Sequence, residues 1–286
     1  MPSTGGFQLT AGDVAILTYV YQCRLVTIEH LIVLTGRSRR VVNRRLVKLT
    51  DQKYLYRKRS FPFMKYVYTI NRAAATELVE RGVASKETLD LRVRLHELTE
   101  LFLRHALMLT DVHVALEVAS RGSPIKLVEW REGKELYDSV ILLEDGERKK
   151  YPVRPDAFFT LQDTRRPGGK NMADFFLEVD RSTTTSKRFQ RKMKGYWGYF
   201  KEGLHEKKYG IRSARVITIT LTEARAVNLC EAVREVIPRE EGRFYYFAPV
   251  KWFSVSSPEQ VFGEIFMTPR DYETGKRYSL IPPLAK

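Results

Sequence analysis

The strongest constraint on the fold is a change of apolar period part-way along the chain. Up to about Ser120 apolar residues recur at helical spacing, and from Lys126 they fall in short strand-like runs separated by turns. Two such regions in succession, over 286 residues, predict two domains of different build. The expected division is residues 1–84 as a small helical domain, 85–122 as a helical connector and 123–286 as a mixed sheet flanked by helices. The fold class is α/β, or α+β for the whole chain.

In the first region Thr10, Thr27 and Ser38 each precede an apolar-periodic segment and read as helix N-caps. Gly36 closes the second segment, where glycine tolerates positive φ. Three short helices joined by tight turns predict a helix-turn-helix core. In the third helix Val41, Val42, Leu46 and Leu49 are expected to face that core. Arg37, Arg39, Arg40, Asn43, Arg44 and Lys48 fall on or just ahead of its other faces, the pattern of a recognition helix in a major groove. Asn43 and the arginines suit base edges, and the lysines suit phosphates. The next stretch, LYRKRSFPFMKYVYTI, alternates on either side of Pro62 and predicts a β-hairpin, the wing of a winged helix. Arg57, Lys58, Arg59 and Lys65 lie on it. The competing reading is a solvated basic surface on a module that binds another protein.

Asn71 caps a further helix, and residues from about Ser85 to Ser120 read as one or two long helices carrying His96, His105 and His113. His105 and His113 lack the i, i+4 spacing of a helical zinc pair, so ordinary packing or solvation is expected of them.

Charge narrows the partners. Lys and Arg number 49 against 34 Asp and Glu, a formal net charge of +15. Such an excess favours a polyanionic partner, most simply nucleic acid, with an anionic membrane surface second. Cys23 and Cys230 form no C-x-x-C pair, which argues against a zinc ribbon or redox motif and for two buried thiols in a reducing cytoplasm. No signal-like segment or long apolar run occurs, so a cytoplasmic location without a membrane span is expected.

The second region reads as strands IKLVEWRE, PDAFFTL, MADFFLEVD, ARVITITL and RFYYFAP, with a basic aromatic helix after the third and another helix after the fourth. Strand alternation puts Glu178 and Asp180 on one face at the end of an apolar strand. Asp156 opens the preceding strand just after Pro155. If those strands are hairpin neighbours, three carboxylates converge at a sheet edge, a cluster that repels itself unless cations neutralise it. Hard oxygen ligands suit Mg²⁺ or Mn²⁺, which lower the pKa of a bound water. Lys187, Arg188, Arg191, Lys192 and Lys194 on the following helix supply charge for phosphodiester oxygens. The plainer alternative is a surface ion pair of Glu178 with Arg181 or Lys187.

The elements LRHALMLTDVHVAL, RPDAFFTL and FFLEVDRSTTTSKRFQRKMKGYWGYF together resemble the replication-relaxation family, whose members occur on plasmids, conjugative elements and phages. The resemblance runs from roughly Leu9 to Phe266. It implies a winged helix followed by a domain similar to the PD-(D/E)xK restriction-endonuclease fold, as in relaxases of one mobilisation class. Carried over by residue, Pro155-Asp156 matches the PD pair and Glu178 the acidic residue of (D/E)xK. The motif lysine falls at position 180, where this chain has Asp180. The resemblance then makes Lys192, four residues before Tyr196 in a K-x-x-x-Y element, the replacement. Alternatively the site is a relic that binds DNA without cutting it. The implied catalytic set is Asp156, Glu178, Asp180 and Lys192, with the three carboxylates as metal ligands. Lys187 and Arg191 join the DNA-binding residues. A tyrosine nucleophile at Tyr196 or Tyr199 is a minor alternative, since no activating histidine cluster accompanies it.

Three functions compete: a metal-dependent DNA nickase, a non-catalytic initiator or regulator, and an interaction module whose charge serves solubility. The partners expected are double-stranded DNA, single-stranded DNA at an origin, and a second copy of the chain.

Overall fold

The computed structural model describes residues 7–59, 65–85, 99–182 and 184–282. It divides into two compact units, Met1–Val114 and Ala115–Lys286.

The first unit opens with α1 (Ala11–Cys23), α2 (Ile28–Thr35) and α3 (Arg39–Asp51). Thr10 and Asp13 form a reciprocal capping box at α1, and Thr27 and His30 do the same at α2. Gly36 ends α2 with φ 65°, the left-handed conformation that a side chain rarely adopts. Ser38 occupies the N-cap position of α3, but its side chain makes no capping bond. Val42, Leu46 and Leu49 are fully buried on one stripe of α3. Val41, expected in the core, is only half-buried, because one residue earlier lies about 100° round the helix from that stripe. Strands β1 (Leu55–Arg59) and β2 (Tyr66–Ile70) pair antiparallel, from Leu55↔Ile70 to Arg59↔Tyr66. The turn holding Pro62 lies outside the described residues. α4 (Arg72–Glu80) follows, with Asn71 accepting from the Arg72 amide.

α5 (Glu100–Arg121) carries the boundary between the units. Of the expected connector, residues 86–98, His96 among them, lie outside the described residues. His105 is half-buried and His113 buried. Among the described residues no group of three or more His, Cys, Asp or Glu side chains is placed to hold a metal.

The second unit is built on a five-stranded mixed sheet in the order β3 (Ile125–Arg131), β6 (Ala157–Asp163), β7 (Met172–Asp180), β8 (Ala214–Thr220), β9 (Tyr245–Pro249). The β3–β6 and β6–β7 pairs are antiparallel, whereas the β7–β8 and β8–β9 pairs are parallel. The parallel strands are joined through α6 (Ser186–Lys201), the short α7 (Leu204–Tyr209) and α8 (Glu223–Arg234). The near-continuous apolar runs of β7 and β8 are those of strands covered on both faces. Thr185 and Thr222 cap α6 and α8.

The segment between β3 and β6 forms a separate antiparallel hairpin, β4 (Asp138–Glu144) with β5 (Glu147–Val153), rather than strands of the main sheet. It packs on α6, and Leu142, Tyr151 and Val153 join one buried core with Phe158, Phe176, Phe189, Tyr196 and Tyr199. Gly198 makes that seat possible: a Cβ there would lie 2.6 Å from Leu142 Cδ2. At Gly195 a Cβ would lie 3.2 Å from the Pro152 carbonyl oxygen. Among the described residues no helix is long and apolar enough to cross a membrane. Cys23 and Cys230 are both free and buried, and burial pushes the Cys230 thiol well up.

Candidate functional site

The carboxylates sit at the end of the central strand, not at a sheet edge. β7 has β6 on one side and β8 on the other, which the sequence did not disclose because strand order is set by non-local pairing. Pro155 has no amide to give, and the first amide after it, that of Asp156, donates to the Leu177 carbonyl at 2.9 Å. Asp156 Oδ2 in turn accepts from the Val179 amide at 2.8 Å, which pins this carboxylate to the strand carrying Glu178.

Glu178 is 3 % exposed, which removes the surface ion pair with Arg181 or Lys187 from consideration. It meets α6 instead. The Lys192 ammonium donates to Oε2, and the Tyr196 hydroxyl donates to Oε1 at 2.6 Å. Lys192 and Tyr196 are one helical turn apart, so one helix serves both oxygens. Burial pushes the Glu178 carboxyl up to about 7, against the opposing pull of the Lys192 charge. Burial lowers the Lys192 ammonium, but the Glu178 and Asp156 carboxylates more than offset it, so it ends above its ordinary value. Tyr196 is wholly buried, and burial together with Glu178 holds its hydroxyl well above the ordinary phenol range. Tyr199 is likewise buried and donates to Asp138 Oδ2 at 2.9 Å. Neither tyrosine is presented as a nucleophile.

Asp180 departs from its expected role. Its carboxylate accepts from Arg225 Nε at 2.7 Å and Nη2 at 3.3 Å, and from the Ser182 amide at 3.1 Å. Arg225 also donates to the Thr184 carbonyl at 2.6 Å. Asp180 thus ties the loop between β7 and α6 to α8. The expected three-carboxylate seat reduces to two members, because a bidentate arginine already satisfies the third. Sequence reasoning missed Arg225, which lies 45 residues from its partner.

Among the described residues no group of three or more metal-ligating side chains gathers here either, so Asp156 and Glu178 are the two carboxylates left to a cation. Mg²⁺ is ordinarily held by one or two carboxylates, with waters and substrate phosphates completing the shell. On β8, in register with Glu178, Thr218 has a fully buried hydroxyl with no hydrogen-bond partner among the described residues.

In the first unit Arg40, Asn43, Arg44 and Lys48 form an exposed stripe on α3 and make no side-chain bond or ion pair among the described residues. The other cations there are engaged. Arg39 donates to Glu29 at 2.8 Å, and Lys65 pairs with the same carboxylate at 3.1 Å. Burial raises the Glu29 carboxyl, but these two cations outweigh it and hold it at about 2. Arg57 and Arg59 stand over the Tyr66 ring at 5.1 and 5.7 Å, and Lys58 is half-buried. The Arg37 guanidinium occupies the space a side chain on Gly12 would need. Arg45, on the same helix as the stripe, turns inward to the fully buried Asp13, with Nε 2.5 Å from Oδ1. In the second unit Lys187 and Arg191 are exposed on α6.

No curated protein and no solved structure matches the chain. A family model does, over residues 17–214, more than half the chain and the span that holds the α3 stripe, Asp156, Glu178 and Lys192. By that match, the chain belongs to the replication-relaxation family.

Proposed function

We propose that this chain acts in replication or mobilisation of a mobile element by nicking DNA. In this reading the first unit is a winged helix that docks on duplex DNA. The second is a PD-(D/E)xK-type nuclease that cuts one strand. The observation that carries it is the Lys192–Glu178 contact: the lysine absent from position 180 arrives from α6 at the carboxylate where such a motif needs it.

Asp156 and Glu178 would hold Mg²⁺ or Mn²⁺, which when bound acidifies water and neutralises phosphate charge. Lys192 keeps a positive charge beside the reacting phosphodiester, where negative charge builds in the transition state. Tyr196 fixes the orientation of Glu178, and Asp180 with Arg225 fixes the start of α6 that delivers Lys192. The α3 stripe reads base edges and phosphates, and the β1–β2 cations flank it.

A second reading is a binding-only initiator or regulator, favoured by the near-complete burial of Glu178. One assay separates the two. Supercoiled DNA carrying the element's own origin is incubated with the full chain and Mg²⁺ or Mn²⁺, beside Glu178→Ala and EDTA controls. Open circles that require both the metal and Glu178 support nicking. Intact supercoils, with the same DNA shifted on a gel, leave the binding-only reading standing.

A further inference from the structure

Away from the carboxylates, β5 and α6 enclose a cleft of about 400 Å³ lined by Lys149, Lys150, Tyr151, Gln190, Arg191 and Lys194. We propose that this cleft is a second site for a phosphodiester backbone, holding nucleic acid on the flank of α6 opposite Glu178. The proposal rests on the second unit handling DNA, and is independent of whether Glu178 and Lys192 cut it.

Helix geometry separates the two sites. At about 100° per residue, Gln190 and Lys194 each lie about 200° round α6 from Lys192, and Arg191 lies about 100° away in the same direction as Lys194. The cleft therefore has its own ligand-facing surface. The docking of the β4–β5 hairpin over Gly195 and Gly198 is what brings Lys149 and Lys150 up to Arg191 and Lys194.

Four cations share this cleft, and like charges so gathered repel unless an anion joins them. The chain provides part of that anion. Glu144 forms an ion pair with Lys194 at 2.5 Å and accepts from the Tyr151 hydroxyl at 2.8 Å, with Lys149 at 3.9 Å. Lys150 and Arg191 have no carboxylate partner among the described residues. Arg191 is nonetheless held in place: it donates to the Lys150 carbonyl at 3.2 Å, and its guanidinium stands 5.5 Å from the Tyr151 ring centroid. A pre-positioned guanidinium without a counter-ion is suited to phosphate.

The spacing selects a repeating anion over a single one. Lys187, Arg191 and Lys194 follow at i, i+4 and i+7 on α6, one cation per turn of about 5.4 Å. Such a row matches a chain of phosphates better than an isolated carboxylate on a protein partner. Tyr151 is buried, so no ring is offered for base stacking, and binding here is expected to be indifferent to sequence.

The test is a salt titration of DNA binding by the full chain in EDTA, where cleavage plays no part. Fluorescent duplex and single-stranded oligonucleotides of scrambled sequence serve as probes. Lys150→Ala with Arg191→Ala is expected to weaken binding to at least one probe about tenfold. The slope of log affinity against log salt should become shallower by about 1 to 2. Lys150→Arg with Arg191→Lys should keep the parent slope. Unchanged affinity and slope on both probes would overturn the proposal, as would equal loss in the charge-conserving variant. Failure of the nicking assay leaves this readout untouched.

Discussion

Tyr196 donates its hydroxyl to Glu178 Oε1 at 2.6 Å while Lys192, one turn earlier on α6, holds the other oxygen. The carboxylate is thus oriented from one helix and kept beside a fixed positive charge. Under the nickase reading, Lys192→Ala is expected to lower the nicking rate by about 10²–10³-fold, the usual loss when one preorganised charge is removed. DNA affinity should stay close to the parent value. Tyr196→Phe keeps the packing and loses only the hydroxyl, so it should cost less. Single-turnover nicking and gel shifts on the same preparations check both.

The pH dependence of stability follows from Glu178. Its carboxyl titrates at about 7 in the folded chain against an ordinary 4.5. Between those values the folded chain holds a proton the unfolded chain has released, so stability falls as pH rises through this window. The loss is roughly 3 kcal/mol at most, a shift of this size converted at 1.36 kcal/mol per unit. Melting curves in EDTA should fall from pH 5 to pH 8 for the parent and stay flatter for Glu178→Gln. A parallel decline in Glu178→Gln would assign the effect elsewhere. Nicking, which needs the carboxylate free of its proton, should rise over the same range.

Arg45 is predicted to be a folding residue despite its place on α3. Asp13 is fully buried, and Arg45→Met would strand its charge at a cost of about 3–5 kcal/mol. Urea denaturation of the chain should show an early loss of the first unit. By contrast, Arg44→Met, on the exposed stripe, should leave stability unchanged and weaken DNA binding.

Glu29 restrains two cations that the sequence placed on the DNA surface. Releasing Arg39 and Lys65 with Glu29→Gln should tighten binding to duplex of any sequence and steepen its salt dependence by up to about 2. A fluorescence titration at several salt concentrations reads this directly. No change would mean that neither side chain reaches phosphate.

Much of the local structure was legible in the residues. Thr10, Thr27, Asn71 and Gly36 act through bonds or angles within a few residues, and the apolar stripe of α3 shows as periodicity. The β7 strand ends where the FFLEVD run ends. What escaped were contacts set by the packing of distant segments: Arg225 with Asp180, Arg45 with Asp13, and the seating of the β4–β5 hairpin on two α6 glycines. Asp180 and Glu178 look alike in sequence, two residues apart on one strand face. The helices above them differ, and so one faces a lysine and a tyrosine while the other faces an arginine.

The Asp180–Arg225 pair also constrains how this chain can drift. Writing the missing lysine back with Asp180→Lys would set two cations head to head. It would free the Ser182 amide and loosen the loop that leads into α6, the helix that carries Lys192. Under the nickase reading, a lysine at position 180 is therefore not a neutral single replacement. Positions 180 and 225 are coupled through one ion pair, and a pattern that demands a lysine two residues after the glutamate passes over this chain.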